Sequence, residues 1–170
     1  MRVRIVPIED ITEQMVHDWN AWAAPSGQLV SPYLRFEFTQ SVARARSDVR
    51  IAVFEADDEI VGFFPHHAVR EGVVRPIGSP MSDYQGIISA PGRQLDPGMA
   101  LAAAGGSALV FDNWHGAHTG RAGDIRNEQA STVVDLADGS DAYFAARLAE
   151  FPSHFRGCSA MPNAISARSA

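Results

Sequence analysis

The chain has 170 residues, of which 46% are hydrophobic and 20% are charged. This balance predicts one domain with a hydrophobic core and excludes a disordered tail. Lysine is absent, so the 14 basic residues are all arginines, and the 20 Asp and Glu residues bring the formal net charge to −6. A negative chain is a poor candidate for sequence-independent nucleic-acid binding, which needs a basic face. Without lysine, P-loop and Schiff-base chemistry are excluded as well.

Membrane and targeting signals are not found in the sequence. No apolar run reaches the roughly 18 residues of a transmembrane helix, and no signal-peptide pattern follows Met1. We therefore expect a cytoplasmic protein without a membrane span. Cys158 is the single cysteine, which excludes an intramolecular disulfide and a multi-cysteine zinc site.

Hydrophobic periodicity predicts a strand, two helices and a meander in the first half of the chain. Residues 3–7 alternate as a strand does, and helical spacing from Thr12 predicts a helix that is broken at 25–27. Ser31, as an N-cap before Pro32, predicts the start of a second helix. Strands are then predicted at 49–55, 59–64 and 73–76.

The second half of the chain predicts further mixed elements. They are a shaped loop at 77–83, a strand at 85–89, a helix at 95–104, a strand at 107–111, a loop at 112–116, a strand at 131–136 and a helix at 141–151. A meander followed by a helix and a new strand predicts a mixed α/β sheet with helices on its faces. We expect residues 1–155 to form one lobe and residues 156–170 an irregular tail.

The histidines do not have the spacing of a metal site. His66 and His67 are adjacent in a predicted strand end, so their side chains point to opposite faces and structural roles are expected. A second group of possible ligands lies in a glycine-rich loop: Asp112, His115, His118 and Asp124. Their spacing matches no recognised ligand pattern, so no metal is expected.

The most informative segment is VVRPIGSPMSDYQGII at residues 73–88. A Gly-Ser-Pro loop follows an apolar strand, and a carboxylate, a phenol and an amide come next; loop glycines allow close approach to the backbone. Asp83 and Tyr84 are candidates for a general base and acid, with a structural turn as the alternative. Trp114 is a candidate for stacking on a sugar ring, with rim packing as the alternative.

This segment resembles the signature of the CelD-like (cellulose biosynthesis) acetyltransferases, a family of the acyl-CoA N-acyltransferase (GNAT) superfamily. The matching stretches are EIVGFFP at 59–65, RPIGSP at 75–80 and SDYQG at 82–86, and the resemblance covers roughly residues 10–150. It implies a GNAT-like lobe, the first of two tandem lobes in full-length relatives. It also implies transfer of an acyl group from acetyl-CoA or another acyl-CoA to an amine or hydroxyl of a polysaccharide or cell-envelope precursor.

Site residues follow from the resemblance. Asp83 and Tyr84 are expected to be catalytic. Substrate-binding residues are expected to be Arg75, Ser82, Gln85 and Trp114. Relatives hold the acyl-CoA pyrophosphate on an R/Q-x-x-G-x-G/A loop that opens a helix. The corresponding residues 89–96, SAPGRQLD, lack that glycine spacing and offer only Gly92 and Arg93 as cofactor-binding residues.

This departure from the pattern leaves two functions open. The first is an acyltransferase lobe that by itself binds acyl-CoA weakly or not at all, because the second lobe is the usual place for the cofactor. The second is a non-catalytic substrate-binding or interaction lobe. A second GNAT-like lobe or a second copy of the chain is the expected partner in either case.

The last residues, CSAMPNAISARSA at 158–170, have neither helical nor strand periodicity. We expect this tail to be read out of frame. With GC-rich codons chosen for it, the shifted frame encodes VQRHAERYLGALG, whose residues favour a helix. The natural protein would then be longer, and the truncated lobe would expose an apolar face and self-associate.

Overall fold

A computed structural model of the chain describes residues 1–23, 31–115, 134 and 136–152. Its described residues form four α-helices and a six-stranded mixed sheet. The predicted mixed α/β class is therefore confirmed. Among the described residues, no helix has the length and apolar character needed to cross a membrane.

The sheet lies in the first of two compact units, Met1–Arg126. Its strands are β1 (Arg2–Val6), β2 (Val49–Ala56), β3 (Glu59–Arg70), β4 (Val73–Pro76), β5 (Ile88–Ser89) and β6 (Ala108–Leu109). Its helices are α1 (Glu13–Ala23), α2 (Phe36–Ala45) and α3 (Pro97–Ala103), with short 3-10 helices at Ile8–Asp10 and Pro32–Leu34. The strand order is β1-β2-β3-β4-β6, with β5 also paired to β3. Strand β6 runs parallel to β4, whereas the other pairs are antiparallel.

The predicted strands at 49–55 and 59–64 form the hairpin of β2 and β3, whose central residues are buried on both faces of the sheet. Its turn residues Asp57 and Asp58 have φ angles of 53° and 63°, a left-handed conformation that Asp adopts more readily than most residues. Strand β3 is longer than predicted and continues to Arg70. His66 and His67 therefore lie within the strand, while their side chains point to opposite faces as expected.

Other element boundaries differ from the predictions. The second helix begins at Phe36, because the residues after Ser31 form a separate 3-10 helix and the Ser31 side chain makes no capping hydrogen bond. The strand predicted at 85–89 is reduced to β5, and the strand predicted at 107–111 is reduced to β6. The strand predicted at 131–136 falls largely outside the described residues, and the tail at 156–170 lies wholly outside them.

A layer of aromatic side chains joins α1 and α2 to one face of the sheet. The fully buried Trp19 ring stacks on Phe63 with 4.8 Å between centroids and meets Phe36 edge-on at 5.6 Å. Its Nε1–H donates a 2.8 Å hydrogen bond to the carbonyl oxygen of Leu34. Trp19 of α1 is therefore a core residue.

The opposite face of the sheet is covered by α3 and the segment before it. Phe54, Phe64 and Val74 are fully buried there. They pack with Leu95 and Ala100. The sheet is consequently covered by helices on both faces, as the sequence predicts.

The second unit spans Asn127–Ala170 and contains α4 (Ser140–Glu150), close to the predicted helix at 141–151. The Arg147 guanidinium lies over the rings of Tyr143 and Phe151, at 5.9 and 5.6 Å from their centroids. Aromatic faces attract cations in this arrangement. These contacts link successive turns of the helix.

We expect Trp19→Ala to lower the free energy of unfolding by about 3–5 kcal/mol, because it removes a buried aromatic ring and leaves a cavity. Urea denaturation followed by circular dichroism measures this loss. His17→Ala, at an exposed position of α1, is the control and should change stability by at most about 0.5 kcal/mol. Equal stabilities of the two variants would contradict the assignment of Trp19 to the core.

Candidate functional site

The predicted signature segment forms a loop that leaves the middle of the sheet. Strand β4 ends with Pro76 paired to His66, and β5 begins with Ile88 paired to Phe63, so both strands pair with β3. Residues 77–87 between them, here called the site loop, contain the cis peptide bond Ser79–Pro80. The loop thus projects from a rigid sheet that fixes both of its ends.

Two of the predicted substrate-binding residues lie inside the site loop. The Ser82 hydroxyl donates to the carbonyl oxygen of Ile77 at 3.1 Å, and Gln85 Nε2 donates to Ser82 Oγ at 3.2 Å. Gln85 Oε1 accepts the backbone N–H of Asp112 at 3.1 Å. Both side chains are only 2% exposed. In this structure they hold the loop together, and substrate binding by them stays a prediction.

The second half of the site loop pairs with the segment that follows β6. Gln85 N–H donates to Asn113 O at 2.9 Å, and His115 N–H donates to Gln85 O at 2.6 Å, around a parallel bridge to Trp114. A Cβ at Gly86 would lie 2.7 Å from the His115 carbonyl oxygen. Glycine is therefore required for the two backbones to approach this closely.

The Asp83 carboxylate is exposed at the surface of the site loop. Its Oδ2 accepts a 3.3 Å hydrogen bond from the Tyr33 hydroxyl. The negative charge of Asp83 raises the pKa of Tyr33, and partial burial and this hydrogen bond add to the effect. Tyr33 therefore stays protonated and donates to the carboxylate. Within the described part of the chain, Oδ1 accepts no hydrogen bond, which leaves that oxygen for a ligand.

Tyr84 follows directly and contacts a histidine from the neighbouring segment. The His115 ring meets the Tyr84 ring edge-on with 5.5 Å between centroids. Tyr33, Asp83, Tyr84 and His115 are called the Asp83 cluster below. The cluster consists of two contact pairs, Tyr33 with Asp83 and Tyr84 with His115, on successive residues of the site loop. Carboxylate, phenol and imidazole groups can hydrogen-bond to a polar ligand and transfer protons to it.

Two members of the Asp83 cluster were not expected from the sequence. Tyr33 lies 50 residues before Asp83, in a 3-10 helix whose sequence indicates only a turn. His115 was considered solely as a metal ligand. The one sequence feature related to the position of His115 is Gly86. Its lack of a side chain permits the backbone pairing that brings residues 113–115 to the site loop.

The other predicted substrate-binding residues lie outside the cluster. Arg75 is exposed on β4, opposite His67. The Trp114 ring packs against Phe64 and Phe111, at 5.7 and 4.9 Å between centroids. These contacts match the rim-packing alternative for Trp114, and its stacking on a sugar stays a prediction.

His66 is buried on the same face of the sheet as Phe64, which also contacts Trp114. Its ring is 1% exposed and stacks beside Phe64 at 5.6 Å, and Nδ1–H donates to the His67 carbonyl oxygen at 2.8 Å. Burial lowers the pKa of His66, although the bond to His67 opposes this effect. His66 is accordingly a neutral side chain with a structural contact, as expected.

The described residues contain no group of three or more His, Cys, Asp or Glu side chains that could hold a metal ion. Asp112 and His115, two of the four possible ligands considered from the sequence, are among these described residues. His118 and Asp124 lie outside the described residues.

The segment expected to hold acyl-CoA does not fit a pyrophosphate. Gly92 has φ +75° in a turn closed by Arg93 N–H donating to Ala90 O at 3.1 Å. The following helix α3 begins with Pro97, which has no N–H, and the Asp96 carboxylate accepts the Gly98 N–H at 2.8 Å. An anion at this helix end would meet a carboxylate instead of unoccupied amides.

Comparison with known proteins gives no relative: no family model, no curated protein and no solved structure matches the chain. Membership of the CelD-like family therefore stays a prediction. The chemistry of the Asp83 cluster is the remaining guide to function.

We expect Gln85→Met to destabilise the protein by about 1–3 kcal/mol, because it leaves the Asp112 N–H without its acceptor and removes the donor to Ser82 Oγ. Urea denaturation measures the change. Met81→Ala, in the same loop at a side chain that is 84% exposed, is the control and should have little effect. A Gln85→Met protein as stable as wild type would show that this amide does not hold the loop.

Proposed function

We propose that this chain is an acyltransferase-family lobe, GNAT-like in fold and CelD-like in family, that binds the acceptor of acyl transfer at the Asp83 cluster. The order of elements supports this fold: a strand, two helices, an antiparallel meander, a helix and a strand parallel to β4. The proposed acceptor is an amine or hydroxyl of a polysaccharide or cell-envelope precursor, as the resemblance implies. We assign it to the cytoplasm.

The exposed Asp83 carboxylate carries the proposal. Tyr33 donates to one of its oxygens, and the other is available to an ammonium or hydroxyl group, the donors that carboxylates bind best. As a general base, Asp83 takes the proton that the acceptor nitrogen or oxygen loses when it bonds to the thioester carbonyl carbon; the C–S bond breaks, and the CoA sulfur leaves as a thiolate that is then protonated to the thiol. The Tyr33 hydroxyl keeps the carboxylate in one orientation, and Tyr84 contributes the second proton-transferring group.

The acyl donor is assigned to a partner. The Asp96 cap and Pro97 at the start of α3 disfavour a pyrophosphate, and Gly92 and Arg93 offer only one turn. We therefore propose that acyl-CoA binds to a second GNAT-like lobe, since another copy of the chain would have the same capped start of α3. This chain would then contribute the acceptor-binding half of the reaction.

A non-catalytic substrate-binding lobe is the second candidate, and the capped start of α3 favours it. Thiol release from a small acetyl thioester, which lacks the nucleotide and needs no pyrophosphate site, separates the two candidates when it is measured in the presence of glucosamine. Release that requires Asp83 supports acyl transfer. Glucosamine binding without thiol release supports the binding lobe.

We expect glucosamine to shift the amide resonances of residues 82–86 in an NMR titration of the full chain. Asp83→Asn should weaken this binding at least about tenfold, because a hydrogen bond to a charged group is lost, and Tyr84→Phe should weaken it as well. Both variants should keep the melting temperature within about 2 °C of wild type.

Asp141→Asn, an exposed carboxylate in α4, is the matched control and should bind glucosamine as wild type does. Unchanged binding by Asp83→Asn would refute the acceptor site. A large loss of stability with binding intact would instead assign Asp83 and Tyr84 to a structural turn.

We expect isothermal titration of the chain alone with acetyl-CoA to give no dissociation constant below the millimolar range. A low micromolar constant needs about 7–8 kcal/mol of organised contacts, and the start of α3 does not provide them. Measured micromolar binding that Arg93→Ala abolishes would restore the residues 89–96 as a cofactor site.

A further inference from the structure

His67 makes two hydrogen bonds on the face of β3 that is turned away from His66. Its Nδ1 lies 3.3 Å from Asp48 Oδ1, and its Nε2 lies 3.3 Å from the backbone nitrogen of Gly78. A backbone N–H can only donate, so Nε2 must present its lone pair. The ring is therefore neutral, with its proton on Nδ1 and directed to Asp48.

Gly78 is one of the residues that attach the site loop to the sheet, next to Ile77, whose N–H donates to the Pro65 carbonyl oxygen at 3.0 Å. Its N–H donates to His67, and its carbonyl oxygen accepts the N–H groups of Met81 and Ser82 at 2.7 and 3.1 Å. Its φ is +74°, and a Cβ there would lie 2.7 Å from the Phe38 ring. The position of the Gly78 peptide thus sets the turn that ends immediately before Asp83.

The same turn is connected to Asp83 from the other side. Phe38, which covers Gly78, meets the Tyr33 ring edge-on at 5.1 Å between centroids. Tyr33 in turn donates to Asp83. Contacts therefore run from Gly78 to Asp83 by two routes, one along the loop backbone and one through Phe38 and Tyr33.

We infer that His67 is the positioning residue of the Asp83 cluster, and that only its neutral ring holds the site loop in the binding conformation. A proton on Nε2 replaces the acceptor by a donor, so that two N–H groups face each other and the bond to Gly78 breaks. The inference rests on the proposed function, since it assigns the regulation of the same acceptor site. Acidification should accordingly weaken acceptor binding.

The charged groups around His67 are Asp48, Arg46 and Arg75. The hydrogen bond from Arg46 lowers the pKa of Asp48 to about 2, with His67 adding to the effect. Asp48 is therefore ionised throughout the range in which imidazoles titrate. Arg75 lies across from His67 on β4, and the adjacent His66 is neutral because burial lowers its pKa.

The test is an NMR titration of the full-length chain between pH 5 and 8, which follows the His67 ring and the amides of Gly78 and Asp83 without any ligand. The Gly78 and Asp83 amides should shift with the same midpoint as the His67 ring. His67→Gln keeps an uncharged acceptor for Gly78 and should remove this titration. His17→Gln, at an exposed position of α1, is the matched control and should leave it unchanged.

Glucosamine binding gives the second measurement. In wild type the dissociation constant should rise at least about fivefold below the His67 midpoint, whereas His67→Gln should bind equally across the range. Amides that follow the His115 ring, or that do not move while His67 titrates, would overturn the inference. Because the amide readout needs no ligand, it stays decisive even if glucosamine is not bound and the proposed function fails.

Discussion

The pairing of β3 with two short strands in succession is the constraint on which the candidate site depends. Phe63 pairs with Ile88 and His66 pairs with Pro76, and these positions on β3 are about 10 Å apart. Residues 77–87 would span about 35 Å if they were extended. The excess chain cannot stay in the sheet, so it forms the site loop, and its two ends are fixed by backbone hydrogen bonds.

Buried polar side chains order the middle of the loop, between the buried Ile77 and Ile87 at its two ends. Ser82 and Gln85 are buried, and each of their polar groups has a partner inside the loop or on the segment after β6. Buried polar groups of this kind must be satisfied, and their geometry then permits few alternatives. An exposed carboxylate on such a loop is held in place, which is what a binding site requires.

The sequence predicts the elements with strong periodicity and leaves the site contacts undetermined. The alternation of apolar and polar residues at 49–55 and 59–64 predicts the β2–β3 hairpin, and the helical spacing of apolar residues from Thr12 predicts α1. Both predictions depend only on the spacing of residues that are near one another in the sequence. The contact of Tyr33 with Asp83 depends on how a 3-10 helix and a loop from different strands are brought together, and no local pattern encodes it. The sequence predicts that Gln85 begins a strand at 85–89. In the structure that strand is only Ile88–Ser89, and the backbone of Gln85 instead forms an isolated bridge with Trp114.

The charge of the chain supports the proposal that it binds the acceptor of acyl transfer rather than the acyl donor. The chain has a net charge of −6, its candidate site presents a carboxylate, and the start of α3 is capped by another carboxylate. Acyl-CoA carries phosphate groups, which these charges repel, whereas an amino sugar carries a cation and hydroxyl donors. At physiological ionic strength, salt screens the repulsion between these carboxylates and phosphate groups beyond about 8–10 Å. The repulsion therefore affects only phosphate groups that come close to the carboxylates. Under the proposed function, acyl transfer would therefore require a partner whose cations and unoccupied backbone N–H groups bind the phosphate groups of acyl-CoA.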